Sequence, residues 1–253
     1  MWYALQKRGV TMKSRQKAAL TESVIYLCSP INALVEGIYE ENVLLSGVLK
    51  HGDFGLGTFD DLDGEMVILD GRVFQISSDG HVAEVDNNTH TPFAAVTFYS
   101  PVHHKEIHCE TSYEAFLAWL KRLFVSPNLF YAIRIEGDFK HIKARSVPKQ
   151  ANYHPFADVT HEQTVFDFNN LEGTLAGFFT PAFLSSLSVP GLHLHFLSSD
   201  FRHGGHVLEC IPRKARVGVQ LIHKLELSLP MTSDYLKLKF HRNIDQDLNE
   251  AEK

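Results

Sequence analysis

Beyond a basic, unpatterned opening from Met1 to roughly Lys17, the apolar and polar positions fall into short strands punctuated by turns, with a few helical stretches. V-I-Y-L-C (Val24 to Cys28) predicts a buried strand, and Pro30 forces a break before a helical turn over Ile31 to Gly37. Glu40 to Leu49 has the spacing of a short amphipathic helix stopped at Gly52. From His51 to Ser77 two β-type runs meet at Asp70-Gly71, whose second residue tolerates the positive φ of a tight turn, so a hairpin is expected there. Phe93 to Ser100 reads as another strand. Thr111 followed by Glu114 forms a capping box that opens a helix over Ser112 to Phe124, with Phe116, Trp119, Leu120 and Leu123 on one core-facing side.

The run L-F-Y-A-I-R-I-E-G-D-F-K-H-I-K-A-R predicts a second hairpin about Gly137-Asp138. Ser146 to Asp158 holds two prolines and several polar residues and is the best connection between two halves. The second half is mostly β: Gln163 to Phe168, Gly191 to Leu197, and a long run over Val207 to Leu229 interrupted by a turn. Leu171 to Leu187, rich in Gly and Phe, is expected to be a loop followed by a short helix. The implied division is a tail over 1–20, a first domain over 21–150 and a second over 151–253, without internal repeats.

At 253 residues, 44% hydrophobic and 21% charged, the chain has the makings of ordinary globular cores rather than disorder or membrane spans. A net charge of -6 argues against a nucleic-acid surface, which needs a basic face. Cys28, Cys109 and Cys210 are too scattered for a disulfide framework and are read as buried thiols. With no apolar stretch of membrane length and no secretory core near the start, a cytoplasmic location and no membrane partner are expected. Met1 and Met12 both remain open as the first residue.

The sharpest chemistry lies in G-L-H-L-H-F-L-S-S-D-F-R-H-G-G-H-V-L. On a strand, His193 and His195 leave the same face, roughly 7 Å apart by the strand's rise, which is close enough to share one ion. A return strand after Gly204-Gly205 would bring His206 opposite them, with His203 as the alternative. Three neutral imidazoles and an open position describe a catalytic zinc site, though such a set also accepts other divalent ions. Fifteen histidines make chance pairs common, and a rival cluster of His103, His104, His108 and Cys109 reads better as a solvated loop. A cupin would also use H-x-H but expects a nearby glutamate ligand where F-L-S-S-D stands.

Two further residues suit such a site. Arg145, at the end of a predicted strand, could grip a carboxylate bidentately or serve as a surface ion-pair partner. Glu65 heads an apolar strand after a turn glycine and points either to solvent or into a pocket where burial tunes it for acid/base work.

Four segments, L-K-H-G-D-F-G-L-G-T-F-D-D-L-D-G-E-M, T-P-F-A-A-V-T-F, R-S-V-P-K-Q and G-L-H-L-H-F with G-G-H-V-L, resemble the α-acetolactate decarboxylase family, in order, from about Ser23 to the C-terminus. The resemblance implies an α/β (α+β) fold of two domains, a mixed sheet in the first half and an antiparallel, partly barrel-like sheet in the second, with the metal at their junction. It implies Zn2+ on His193, His195 and His206, with Glu65 against the reactant, Arg145 meeting substrate and Thr58 lining the pocket. Glu252, or Glu250 as the alternative, would enter from the C-terminus. The implied activity is zinc-dependent decarboxylation of 2-acetolactate to (R)-acetoin and CO2, by a homodimer. Two rivals stay open: a three-histidine zinc hydratase or hydrolase, and a metal-dependent ligand-binding module without turnover.

Overall fold

The computed structural model describes residues 23–40, 43–151, 159 and 162–251, with side chains as far as residue 248. The first part of the chain runs through β1 (Val24–Leu27), α1 (Ile31–Val35), β2 (Val43–Leu44), α2 (Leu45–Val48), β3 (Phe54–Thr58), β4 (Glu65–Leu69), β5 (Arg72–Ile76), β6 (Val82–Glu84), β7 (His90–Thr91) and β8 (Ala94–Thr97). The remainder comprises β9 (His104–Ile107), α3 (Tyr113–Lys121), β10 (Phe130–Ser146), β11 (Thr164–Thr180), β12 (Gly191–Ser198), β13 (Gly204–Ile222), β14 (Lys224–Leu227), α4 (Ser233–Lys237) and α5 (Ile244–Ala251).

One sheet has seven strands in the order β14-β1-β8-β3-β4-β5-β6. It is mixed, because β14 lies parallel to β1 while its other neighbours are antiparallel. The second sheet, β10-β11-β12-β13-β9, is antiparallel and closes on itself, since β10 bonds to β11 on one edge and to β13 on the other. The expected α+β architecture with a partly barrel-like sheet is what the structure holds. The sheets do not, however, divide the chain at residue 150. Strands β9 and β10, which precede that point, belong to the barrel, and β14, which lies beyond it, completes the first sheet. Backbone pairing over long distances decided this membership, and composition in the connection carries no record of it. The expected tail over 1–20 and the choice between Met1 and Met12 lie outside the described residues.

Three cores account for the alternation along the strands. On β4, Val67 and Leu69 enter the core shared with the barrel while Met66 and Ile68 enter a separate one on the far face of the first sheet. By the same pleat Phe54 and Leu56 of β3 face the barrel. Phe139 and Phe196 fill the barrel interior edge-to-face at 5.8 Å, and Phe116 and Leu120 of α3 are buried in that same core.

Several local expectations hold. Asp70 (φ 52°) and Gly71 (φ 77°) turn β4 into β5, and the break expected in the last β run falls between β13 and β14. Others need correction. No hairpin forms at Gly137-Asp138, because β10 runs straight through, and glycine is required there because a side chain would strike the Lys214 carbonyl and Ala215 of β13. Leu171 to Thr180 is strand rather than loop, where Gly177 lets β11 pass close to the His193 backbone, and only a 3-10 turn comes after it at Ala182–Leu184. Among the described residues of the span expected as a helix over Glu40 to Leu49, Val43–Leu44 is strand and only Leu45–Val48 is helical. The cap of α3 is Ser112, accepting from Ala115 N at 3.4 Å, while Thr111 Oγ1 donates to the Cys109 carbonyl. Cys28 and Cys210 are buried, but Cys109 is exposed, and none of the three is in a disulfide.

Candidate metal centre

The pleat that places apolar residues in the shared core also delivers the polar ones. Thr58 lies on the Phe54–Leu56 face of β3 and Glu65 on the Val67–Leu69 face of β4, and the two are cross-strand partners. On β12, Leu194 and Phe196 point into the barrel, so His193 and His195 point out of it toward the first sheet. His206 on β13 stands directly opposite His195 in the ladder. Arg145 depends on an irregularity. Tyr131, Ile133, Ile135 and Phe139 of β10 fill the barrel, but after register shifts near Phe139 and His141 it is Ile142 and Ala144 that do so. The bulge thus reverses the alternation and aims Arg145 outward, beside its ladder partner His206.

The ligand nitrogens of His193, His195 and His206 all lie within 4.8 Å of one another. The His193 and His195 Nε2 atoms are 3.2 Å apart, close to the edge of about 3.3 Å that two nitrogens span on a tetrahedral zinc with bonds of about 2.0–2.1 Å. His195 Nδ1 is 2.8 Å from the Met66 carbonyl, which can only accept, so Nδ1 carries the proton and the Nε2 lone pair faces the centre. Desolvation, reinforced by the Arg145 guanidinium, pushes His193 down to about 3. Desolvation likewise holds His195 and His206 well below the ordinary histidine range, with His193 the next cause for His195 and Arg145 for His206. All three are therefore neutral near pH 7, the state a metal ligand must have, and the set fits a divalent ion with nitrogen preference.

Glu65 lies between this triad and Arg145. Its Oε1 accepts from Arg145 Nη1 at 2.8 Å and its Oε2 lies 3.4 Å from His195 Nε2, with both carboxylate and guanidinium buried. Thr58 Oγ1 donates to the Gly64 carbonyl at 2.7 Å. These six residues line one small cavity. Sequence reasoning missed its apolar wall of Ile31, Leu34, Leu62, Phe93, Val147 and Val189. Val147 stands in R-S-V-P and Leu62 in D-D-L-D-G, but nothing in an apolar residue type separates a cavity wall from ordinary core.

Leu62 is held unusually. Asp61 (φ 61°) and Leu62 (φ 55°) are successive left-handed residues, and Leu62 is wholly buried. A left-handed leucine costs about 1–2 kcal/mol, which the roughly 1.5–3 kcal/mol from burying its side chain offsets.

The remaining candidates are elsewhere. His203 tilts against Phe168 at 4.9 Å, outside the triad. His103, His104, His108 and Cys109 are exposed on and around β9, in keeping with a solvated segment. Glu252 lies outside the described residues, as does the side chain of Glu250. The helix that leads to them, α5, buries Leu248 in the core that also holds Ile31 and Leu34 of α1.

Among the described residues, no helix is long and apolar enough to cross a membrane. A family model described as alpha-acetolactate decarboxylase matches residues 25–242. An alpha-acetolactate decarboxylase of Methanosarcina mazei is 38% identical over 231 residues, covering 91% of this chain and 80% of the relative. The crystal structure of alpha-acetolactate decarboxylase from Bacillus subtilis strain 168 superposes with a TM-score of 0.88 at 35% identity, covering 91% of this chain and 99% of that one. A Staphylococcus aureus protein of unknown function, described as similar to alpha-acetolactate decarboxylase, gives 0.86 at 26% identity over 90% and 99% of the two chains. By sequence and by fold alike, this chain belongs to the alpha-acetolactate decarboxylase family.

Proposed function

We propose that the chain decarboxylates 2-acetolactate to acetoin and CO2 with a divalent metal, zinc by its donor set, on His193, His195 and His206. The observation that supports this most is the meeting of a three-imidazole group, a buried carboxylate and a buried guanidinium in one small cavity. When bound, the metal supplies a Lewis acid that stabilises negative charge as the C–C bond breaks.

The chain's own groups do the rest. Arg145 takes the substrate carboxylate and holds it in line for departure, through the paired donors of its guanidinium. In doing so it draws its charge from Glu65, which then keeps a proton taken from solvent. The bond from C2 to the carboxyl carbon breaks, CO2 leaves, and the electron pair moves onto the neighbouring ketone. Glu65 returns the proton to C2 and is recharged from solvent. Because Glu65 occupies one wall, delivery is one-sided and the acetoin has a single hand, (R) by the family resemblance. Thr58 orients the loop that ends at Glu65, and Glu252 is a second acid from the C-terminus. The apolar wall favours this chemistry over hydration or hydrolysis, because it keeps bulk water from the reacting carbon. The assembly is a homodimer, which light scattering tests.

The deciding experiment incubates purified, zinc-loaded protein with racemic acetolactate, with and without a chelator, and monitors acetoin and CO2. Acetoin that disappears with the chelator and returns with zinc is expected. Turnover untouched by complete metal removal would overturn the metal role, and a loaded protein that yields no acetoin would overturn the reaction.

A further inference from the structure

We propose that Leu62 is a specificity-determining residue, whose side chain limits the alkyl group at C2 of the substrate and so restricts the cavity to 2-hydroxy-3-oxo acids with a small substituent. This rests on the decarboxylase reading above.

The cavity is two-sided. Its polar arc offers imidazoles, a guanidinium, a carboxylate and a hydroxyl, enough to meet the carboxylate, hydroxyl and ketone of such an acid. The alkyl groups are left to the apolar arc, where contact costs no polar desolvation. Within that arc Leu62 has a distinct position. It sits in the loop that joins Thr58 to Glu65, cross-strand partners on the polar side, so its side chain lies beside the reacting groups.

The loop cannot retreat to admit more bulk. Asp61 N donates to the Tyr39 carbonyl at 2.9 Å and the Asp61 carbonyl accepts from Gln150 N at 2.7 Å. Gln75 Nε2 donates to the Asp63 carbonyl at 2.6 Å, and Thr58 Oγ1 holds the Gly64 carbonyl. Separate parts of the chain thus pin the loop on both sides of Leu62. With the backbone fixed, the length of the side chain at 62 sets the clearance on the side of the cavity next to Thr58 and Glu65, and that side chain is buried toward the cavity rather than toward solvent.

The test uses full-length, zinc-loaded protein carrying Leu62→Gly, which suits the backbone at this position, or Leu62→Phe. The kcat/KM for acetolactate is compared with that for its 2-ethyl and 2-propyl homologues. Calorimetry in parallel measures Kd for 2-hydroxy-2-alkyl acids that lack the 3-oxo group and cannot react. For Leu62→Gly the propyl-to-methyl ratio should rise about tenfold or more in both measurements, as expected when a pocket gains room for methylenes. Leu62→Phe should lower it. A uniform loss across all homologues with unchanged ratios would overturn the proposal, because it would place the effect on Glu65. If wild-type protein decarboxylates none of the acids, the decarboxylase reading fails while the Kd ratios still decide the role of Leu62. Both variants read the same ratio, so misfolding of one leaves the other to decide.

Discussion

In the hairpin of β12 and β13, His195 and His206 meet because the ladder register sets them opposite one another, whereas Leu62, between β3 and β4, reaches the same cavity through two successive left-handed residues. The hairpin is over-determined by repeated backbone bonds on both edges. The loop is held by a handful of long-range ones. The histidine end of the site should therefore fail through lost chemistry with its geometry intact, while the wall facing it should be tunable.

The largest effect expected from breaking that contrast is at His195. Replacing it with Ala should leave a folded protein that retains almost no zinc by elemental analysis and forms no acetoin, since two imidazoles are a poor zinc site. Metal-free turnover at the wild-type rate would show that the hairpin is not the chemical end at all.

Glu65→Gln should separate the halves. Zinc content should stay at one ion per chain while kcat falls by roughly 10² or more, the loss of an acid/base group. An unchanged kcat would remove Glu65 from the proton path.

A pH series on metal-free protein probes the hairpin itself. His193 is held at about 3 against an ordinary 6.5, and His195 and His206 are shifted the same way. Between those two pH values the unfolded chain binds protons that the native chain refuses, so native stability is intact above 6.5 and is lost as pH falls toward 3. The thermal midpoint should therefore drop across that window, and His193→Gln should make the slope shallower. A flat profile would mean that the rings are solvated.

The smallest effect concerns the loop. Thr58→Val deletes the bond to the Gly64 carbonyl and should lower stability by about 1 kcal/mol in a urea titration, with zinc content unchanged. No change would show that the other bonds suffice to hold Leu62.

The same contrast separates what is legible in the sequence from what is not. H-x-H on a strand and the turn at Asp70-Gly71 are local patterns, and both appear in the structure as read. Arg145 is recognisable as a candidate, but its direction depends on the bulge in β10, which no residue type marks. Gly137 and the glycines of β11 read as turn signals, although they serve close approach between barrel strands. A missing side chain gives the same cue in both situations, and only the partner strand distinguishes them. Leu62 carries no signal, because a leucine after two aspartates does not announce a left-handed backbone.

The pairing of β14 with β1 has a consequence for how this protein is made. Val24 and Lys224 are ladder partners about two hundred positions apart. A ribosome therefore releases the opening strand long before the neighbour that will cover its outer edge has been synthesised. Through most of translation that edge is open to wrong partners, and closing it over so long a separation is slow. Six of the seven strands can pair early, but closing the β1 edge of the sheet must wait until β14 has emerged.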